Sequence, residues 1–279
     1  MRKAVLAALV IGTGAATGAA LQARQIAPEA LGTLAPVDVV ILGEVHDNPS
    51  HHLNQATALD SLAPAAVLFE MLTQAQAEIA QARTRVGPAL GAALEWEMSG
   101  WPPFDLYQPV FEALGSARIF GMAVPRDRIG SAFSDGPAAA FGDGAARFGL
   151  DRPLPPAEQV TREAMQAAAH CDALPPDMLP GMVAAQRLRD AAFADTVLTA
   201  LAETGGPVAV ITGSGHARTD WGMPAALRRA APDLRVLSIG QLEDHGDLPD
   251  HPPFDLWLVT APADRPDPCA GLRARGEGD

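Results

Sequence analysis

Apolar residues along this chain fall into short continuous runs, each followed by a longer segment in which they recur at helical spacing. Val37–Leu42, Ala65–Phe69, Arg118–Val124, Pro207–Thr212, Leu234–Ile239 and Phe254–Thr260 are runs of the first kind, rich in Val, Ile, Leu and Phe. Runs without polar alternation predict strands buried on both faces. Between them, Pro49–Leu62, Gln74–Val86 and Pro224–Ala231 read as helices, the first with Pro49 and Ser50 at its start and Asp47 as the expected cap. Such βα alternation predicts an α/β fold: a mostly parallel central sheet covered by helices on both faces, with the last strand at an edge.

Two regions break the alternation. Residues 156–204 predict two long helices, Glu158–His170 and Met178–Glu203, around the turn Leu174-Pro175-Pro176, a helical cap inserted between the third and fourth strands. Ala92–Phe111 reads as irregular and carries Trp96, Trp101, Phe104 and the single tyrosine, Tyr107. Insertions of this kind form lids over sites at strand ends. Residues 134–155, rich in Gly, Pro and Asp, predict a mobile loop, and the tail from Pro262 reads as irregular.

The beginning of the chain stands apart. Arg2 and Lys3, the apolar stretch Ala4–Ile11 and the small residues Gly12–Ala20 have the layout of a secretory signal peptide over residues 1–23, with cleavage between about Ala19 and Ala23. The stretch is too short and glycine-rich to span a bilayer, and no cysteine lies near the cleavage zone for lipidation. Residues 24–279 then form a single domain, periplasmic or secreted. The formal charge of −13 argues against nucleic acid and anionic membrane as partners. Export permits a disulfide between Cys171 and Cys269, a pairing the spacing leaves open.

Candidate chemistry gathers where strands end. The first strand runs into Gly43-Glu44-Val45-His46-Asp47, with His51 and His52 just beyond; the second ends at Glu70, the third at Arg126, the fourth at Gly213-Ser214-Gly215-His216. In a parallel sheet these ends share one edge, where open α/β sheets bind ligands. Imidazole and carboxylate groups bind metals, ligate haem iron and move protons near neutral pH. His46, His216, Glu44 and Glu70 are therefore the candidate metal ligands, with Glu44, Glu70 and Arg126 as catalytic groups if the protein is an enzyme. Competing structural roles are a Glu70–Arg126 pair bracing the crevice and at least one solvent-facing histidine of His51 and His52. His170, His245 and His251 read as structural or exposed.

The segment Leu42–His52, with Phe69-Glu70-Met71, Val124-Pro125-Arg126, Gln186–Asp190 followed by Ala194-Asp195, Gly213–Arg218 and Trp221-Gly222-Met223-Pro224, resembles the ChaN-like haem-binding proteins of the Tiki/TraB superfamily over most of residues 37–275. The resemblance implies an exported protein of haem or iron uptake. Some relatives are lipoproteins that hold haem through a tyrosine, with a histidine supplied across a homodimer. This chain lacks the lipidation cysteine and has one tyrosine, so Tyr107 would have to be that ligand. Arg126 or Arg218 would hold propionates, Trp101 and Phe104 would cover the porphyrin, and His46, His216, His51 and His52 remain as iron ligands. The wider superfamily includes metal-dependent proteases with two Gly-x-x-His motifs, a Glu and an Arg, to which His46, Glu70, Arg126 and His216 correspond. Two functions follow: haem binding in uptake, or hydrolysis with a divalent transition metal.

Overall fold

A computed structural model describes residues 23–82, 87–267 and 269–270, so the expected signal peptide lies almost wholly outside the described residues. Seven parallel strands form one sheet in the order β1-β7-β6-β2-β5-β3-β4. They are β1 (Arg24–Gln25), β2 (Val39–Glu44), β3 (Ala66–Phe69), β4 (Arg118–Gly121), β5 (Val208–Gly213), β6 (Val236–Glu243) and β7 (Leu256–Thr260). The apolar runs explain the centre: β2 and β5 are buried at every position. Their period-2 geometry splits each run between two cores. Val40, Leu42, Val67, Phe69, Ala209 and Ile211 face one layer. Val39, Ile41, Ala66, Leu68, Val208 and Val210 face the other.

The first layer is built by α1 (Pro49–Leu62), α2 (Gln74–Ala82), α3 (Pro88–Ala93) and α4 (Phe104–Glu112). The second holds α6 (Pro137–Phe141), α8 (Leu179–Thr204) and α10 (Met223–Ala230), with α5 (Arg126–Asp135) and α7 (Pro156–Ala169) packed against α8. The short α9 (Ser214–Ala217) follows β5 directly. The two expected cap helices are α7 and α8, and α8 packs Ala191, Ala194, Val197 and Ala200 into the second core. Among the described residues no helix is long and apolar enough to cross a membrane.

The structure corrects several expectations. Residues 134–155 are no loose loop: α6 and a 3-10 turn at Ala145–Phe148 bury Phe148 and Leu150 in the second core. Small residues and glycines here allow tight packing that a hydrophobic-run reading overlooks. The lid region is helical through α3 and α4, with Trp96, Tyr107 and Phe111 fully buried. β4 stops at Gly121, three residues before the expected end at Val124. There a Cβ would sit 2.2 Å from the Thr73 backbone, so only glycine admits the start of α2. β7 is not the edge, because β1 pairs alongside it. Residues 83–86 of the expected second helix lie outside the described residues. Cys171 and Cys269 are joined by a disulfide, Cα–Cα 5.5 Å, tying the segment between α7 and α8 to the tail.

Candidate functional site

Because every pairing is parallel, the C-terminal ends of β2, β3 and β5 lie side by side, with Glu44 in register with Gly213 and Phe69 with Ile211. Glu44 is the buried hub, 2% exposed. Its Oε1 accepts from Tyr107 Oη and His46 Nδ1, both at 2.7 Å, and its Oε2 from Gln55 Nε2 at 2.7 Å. Three donors thus satisfy this buried carboxylate.

The inner face of α1 is polar for this reason. Asn48, not Asp47, caps the helix, accepting from Ser50 N at 3.0 Å. Asp47 instead pairs with Arg265 of the tail at 2.7 Å. His51 and His52 are both fully buried, contrary to the expectation that one faces solvent. Val45 N donates to His51 Nδ1 at 2.8 Å while His51 Nε2 donates to Thr260 Oγ1 at 2.9 Å. Burial drives the His51 pKa down to about 4, so the ring is neutral as this pattern requires. His52 Nε2 donates to the His46 carbonyl at 3.0 Å and its ring packs on Tyr107. These two histidines shape the turn; His52 Nδ1 has no hydrogen-bond partner and lies buried 3.5 Å from Glu44 Oε2.

His46 and His216 are arranged alike. Each turns Nδ1 to a carboxylate, His46 to Glu44 at 2.7 Å and His216 to Asp190 at 2.6 Å. A carboxylate at Nδ1 makes it the donor and leaves Nε2 as the outward nitrogen. His216 Nε2 lies 3.5 Å from Glu70 Oε1. His46 Nε2 lies against Gly213, where a Cβ would meet it at 2.9 Å, so that glycine makes room for the imidazole. Glu70 sits between the two rings, its Oε2 accepting from Thr212 Oγ1 at 2.7 Å and Gly213 N at 2.8 Å. Burial alone would lower the His46 pKa, but the Glu44 hydrogen bond and charge, with Glu70 and Asp47, outweigh it and the net shift is upward. His216 behaves likewise: burial is overcome by Glu70 and Asp190. For Glu70, burial is overcome by both imidazoles and its two hydrogen bonds, which lower its pKa.

The other candidates take different places. Tyr107 is fully buried beneath Glu44. Burial and the Glu44 charge push its phenol upward, so the structure opposes a tyrosinate ligand and makes Tyr107 a support for Glu44. Arg126 starts α5, five residues past β4, exposed and making no hydrogen bond or ion pair among the described residues; it does not brace Glu70. Arg218 is closed on Asp220 at 2.6 Å and lies over Trp221. His245 and His251 are exposed, and His170 Nδ1 bonds the Gln166 carbonyl at 2.8 Å. Among the described residues no group of three or more His, Cys, Asp or Glu side chains is placed to hold a metal ion. Of the expected metal set, Glu44 has both oxygens taken by protein hydrogen bonds, whereas His46 and His216, held at Nδ1 by carboxylates, keep Nε2 as the outward nitrogen.

Asp190 and Gln55 are site residues the strand-end pattern does not reveal. Asp190 sits on the apolar stripe of α8 beside Leu188, Ala191 and Ala194, and its signals are a carboxylate on a buried face and its place in the Gln186–Asp190 segment of the family resemblance. Beside His46, Trp101 packs its ring at 4.7 Å. Trp101 also lines an open groove of about 930 Å³ with Trp96, Met98 and Phe104, rimmed by Glu95, Glu97 and Asp105.

Comparison with known proteins agrees with this architecture. Residues 30–227 match the family described as haem-binding uptake, Tiki superfamily, ChaN. No curated protein matches the chain. A structure described as cofacial haem binding to ChaN of Campylobacter jejuni superposes with a TM-score of 0.58 at 19% identity, covering 82% of this chain and 88% of that one, a likeness of fold. The type III effector HopBA1 gives a TM-score of 0.41 at 15% identity, covering 81% and 88%.

Proposed function

We propose that this chain, which belongs to the haem-binding uptake (ChaN) family of the Tiki superfamily, binds haem at the C-terminal edge of its sheet, as an exported protein of haem or iron uptake. The observation that carries the reading is His46. Its Nδ1 is fixed by Glu44 at 2.7 Å, its side chain is 31% exposed, and an indole lies against its face. A histidine oriented through Nδ1 by a carboxylate is a strengthened axial ligand through Nε2. The residues present fit haem: a pinned imidazole, the apolar wall of Trp101 and Phe104, and the unpaired guanidinium of Arg126 for a propionate. The acidic rim of Glu95, Glu97 and Asp105 disfavours propionates on the groove side. Bound haem would supply a redox-active iron and an intense Soret absorption. The cofacial arrangement described for the Campylobacter jejuni protein is one we extend to a homodimer of this chain. The Cys171–Cys269 disulfide supports the exported setting.

Titration of the purified protein with hemin tests this. A saturable Soret shift is expected, with His46→Ala weakening it at least roughly tenfold, the loss of one coordinate bond to a charged centre. Absence of saturation, or an unaltered curve in His46→Ala, overturns the assignment.

A second reading, hydrolysis, is favoured by the two dyads His46–Glu44 and His216–Asp190 on either side of Glu70. There His46 Nε2 would take a proton from water and His216 Nε2 would give one to the leaving group. Turnover of ester or peptide substrates lost equally in His46→Ala and His216→Ala would establish it, and no turnover with any substrate class would remove it.

A further inference from the structure

A second cavity, of about 310 Å³, lies on the far side of the His216–Asp190 pair, between α7, α8 and α10. Arg152, Arg162, Arg187 and Arg229 all line it. The carboxylates that line it are already paired, one of them with a lining arginine. Glu158 is bonded to Arg162, Asp220 to Arg218, and Asp190 Oδ1 to His216. Arg187 gives its Nη2 to the carbonyls of Gly149 at 3.0 Å and Arg152 at 2.8 Å. The guanidiniums of Arg152 and Arg229 make no hydrogen bond or ion pair among the described residues.

Solvated surface arginines are common, but two features here are not of that kind. Arg162 is 9% exposed, lying over Trp221, and Arg187 is held below the usual guanidinium range, first by burial and then by the nearby Arg162. Like charge is thus concentrated where water is scarce. Asp190, 3% exposed, also lines the cavity, and its Oδ2 has no hydrogen-bond partner. A buried carboxylate oxygen left without a donor is costly and needs one. The cavity therefore lacks two things at once: a carboxylate partner for Arg152, Arg187 and Arg229, and a hydrogen-bond donor for Asp190 Oδ2.

We propose that this cavity binds a small organic anion carrying a hydroxyl, a hydroxylated di- or tricarboxylate, with its carboxylates on Arg152 and Arg229 and its hydroxyl donating to Asp190 Oδ2. Its volume falls at the low end of small-molecule sites and suits a ligand of that size. Through Asp190 the ligand would touch the group that orients His216, linking this cavity to the sheet-edge crevice without sharing it.

Calorimetric titration of the apo-protein with citrate, with tricarballylate (the same tricarboxylate without the hydroxyl) and with inorganic phosphate tests the assignment. Citrate should bind saturably, and tricarballylate and phosphate should each bind roughly tenfold or more weakly than citrate, the value of a hydrogen bond to a charged group. The double variant Arg152→Ala/Arg229→Ala, both on exposed side chains and so expected to fold, should lose citrate binding while its hemin titration stays as in the parent. No saturable heat with citrate, or equal affinity for citrate and tricarballylate, overturns the proposal. A variant that loses hemin while citrate binding persists overturns it too, and assigns these arginines to propionates; a failure of haem binding in the parent protein leaves the citrate result readable on its own.

Discussion

At the scale of single residues, the site depends on which nitrogen and which oxygen each neighbour occupies. Tyr107 illustrates this. Its hydroxyl donates to the buried Glu44 at 2.7 Å, and Glu44 in turn fixes His46. Tyr107→Phe should therefore cost about 1–3 kcal/mol in denaturant unfolding, the loss of a donor to a buried charge. The hemin-bound spectrum should keep its bands, because the iron ligand is His46; bands that vanish in this variant would return the phenol to the iron. His51 gives a pH prediction. Its pKa falls from 6.5 in the unfolded chain to about 4 when folded. Its contribution, on the order of 3 kcal/mol, is complete above the unfolded value and lost as pH falls through the folded one. Unfolding measured between those two pH values should show His51→Gln losing less stability than the parent. His46 and His216, raised on folding, act in the other direction: their contribution is complete below 6.5 and fades as pH rises through their folded values. The residue types at the strand ends were legible because each Gly-x-x-His element follows directly on a continuous apolar run. Gln55, the pairing of Asp190 with His216 and the burial of His51 and His52 were not, since each depends on partners that only the fold brings together.

At the scale of elements, the strands that hold the site were legible and those that trim it were not. β2, β3, β5 and β6 announce themselves as continuous apolar runs because both faces are covered. β1 is two exposed residues, Arg24 and Gln25, and is a strand only through pairing with β7. The third strand ran long in the sequence because Met122, Ala123 and Val124 are apolar, yet the chain leaves the sheet after Gly121 to pass Thr73. Gly121→Ala tests that cause. A methyl 2.2 Å from backbone atoms cannot be relieved by rotating a side chain. The variant should lose about 1–3 kcal/mol or more through forced separation of β4 from α2, read by denaturant unfolding. A neutral result would show that the turn after β4 is set by something other than this approach.

At the scale of the whole molecule, the tail acts as a strap across elements that are distant in sequence. From the end of β7, Ala261 accepts from Asn48 Nδ2 at 3.0 Å and Ala263 N donates to Glu243 at 2.9 Å. Arg265 then bridges Glu243 and Asp47, the residue after His46, at 2.7 Å each. Arg265 helps hold the Glu243 carboxyl down to about 2 against the upward push of burial. Beyond this clamp, Cys269 is bonded to Cys171 at a sequence separation of 98, so the strap is fastened at both the His46 turn and the connection between the cap helices. Closing so long a loop restricts the unfolded chain, and disulfides of this kind contribute about 2–4 kcal/mol. Cys171→Ser/Cys269→Ser should lower unfolding stability by that amount and leave the sheet intact by circular dichroism. Its hemin titration should weaken only modestly, because Arg265 still holds Asp47 when the far end is free. Arg265→Ala should do the reverse: a smaller loss of stability but weaker hemin binding, as Asp47 and the turn that carries His46 lose their anchor. If the cysteine variant alone abolished hemin binding, the site would depend on the cap's attachment to the tail and the local clamp at Arg265 would not suffice to position His46.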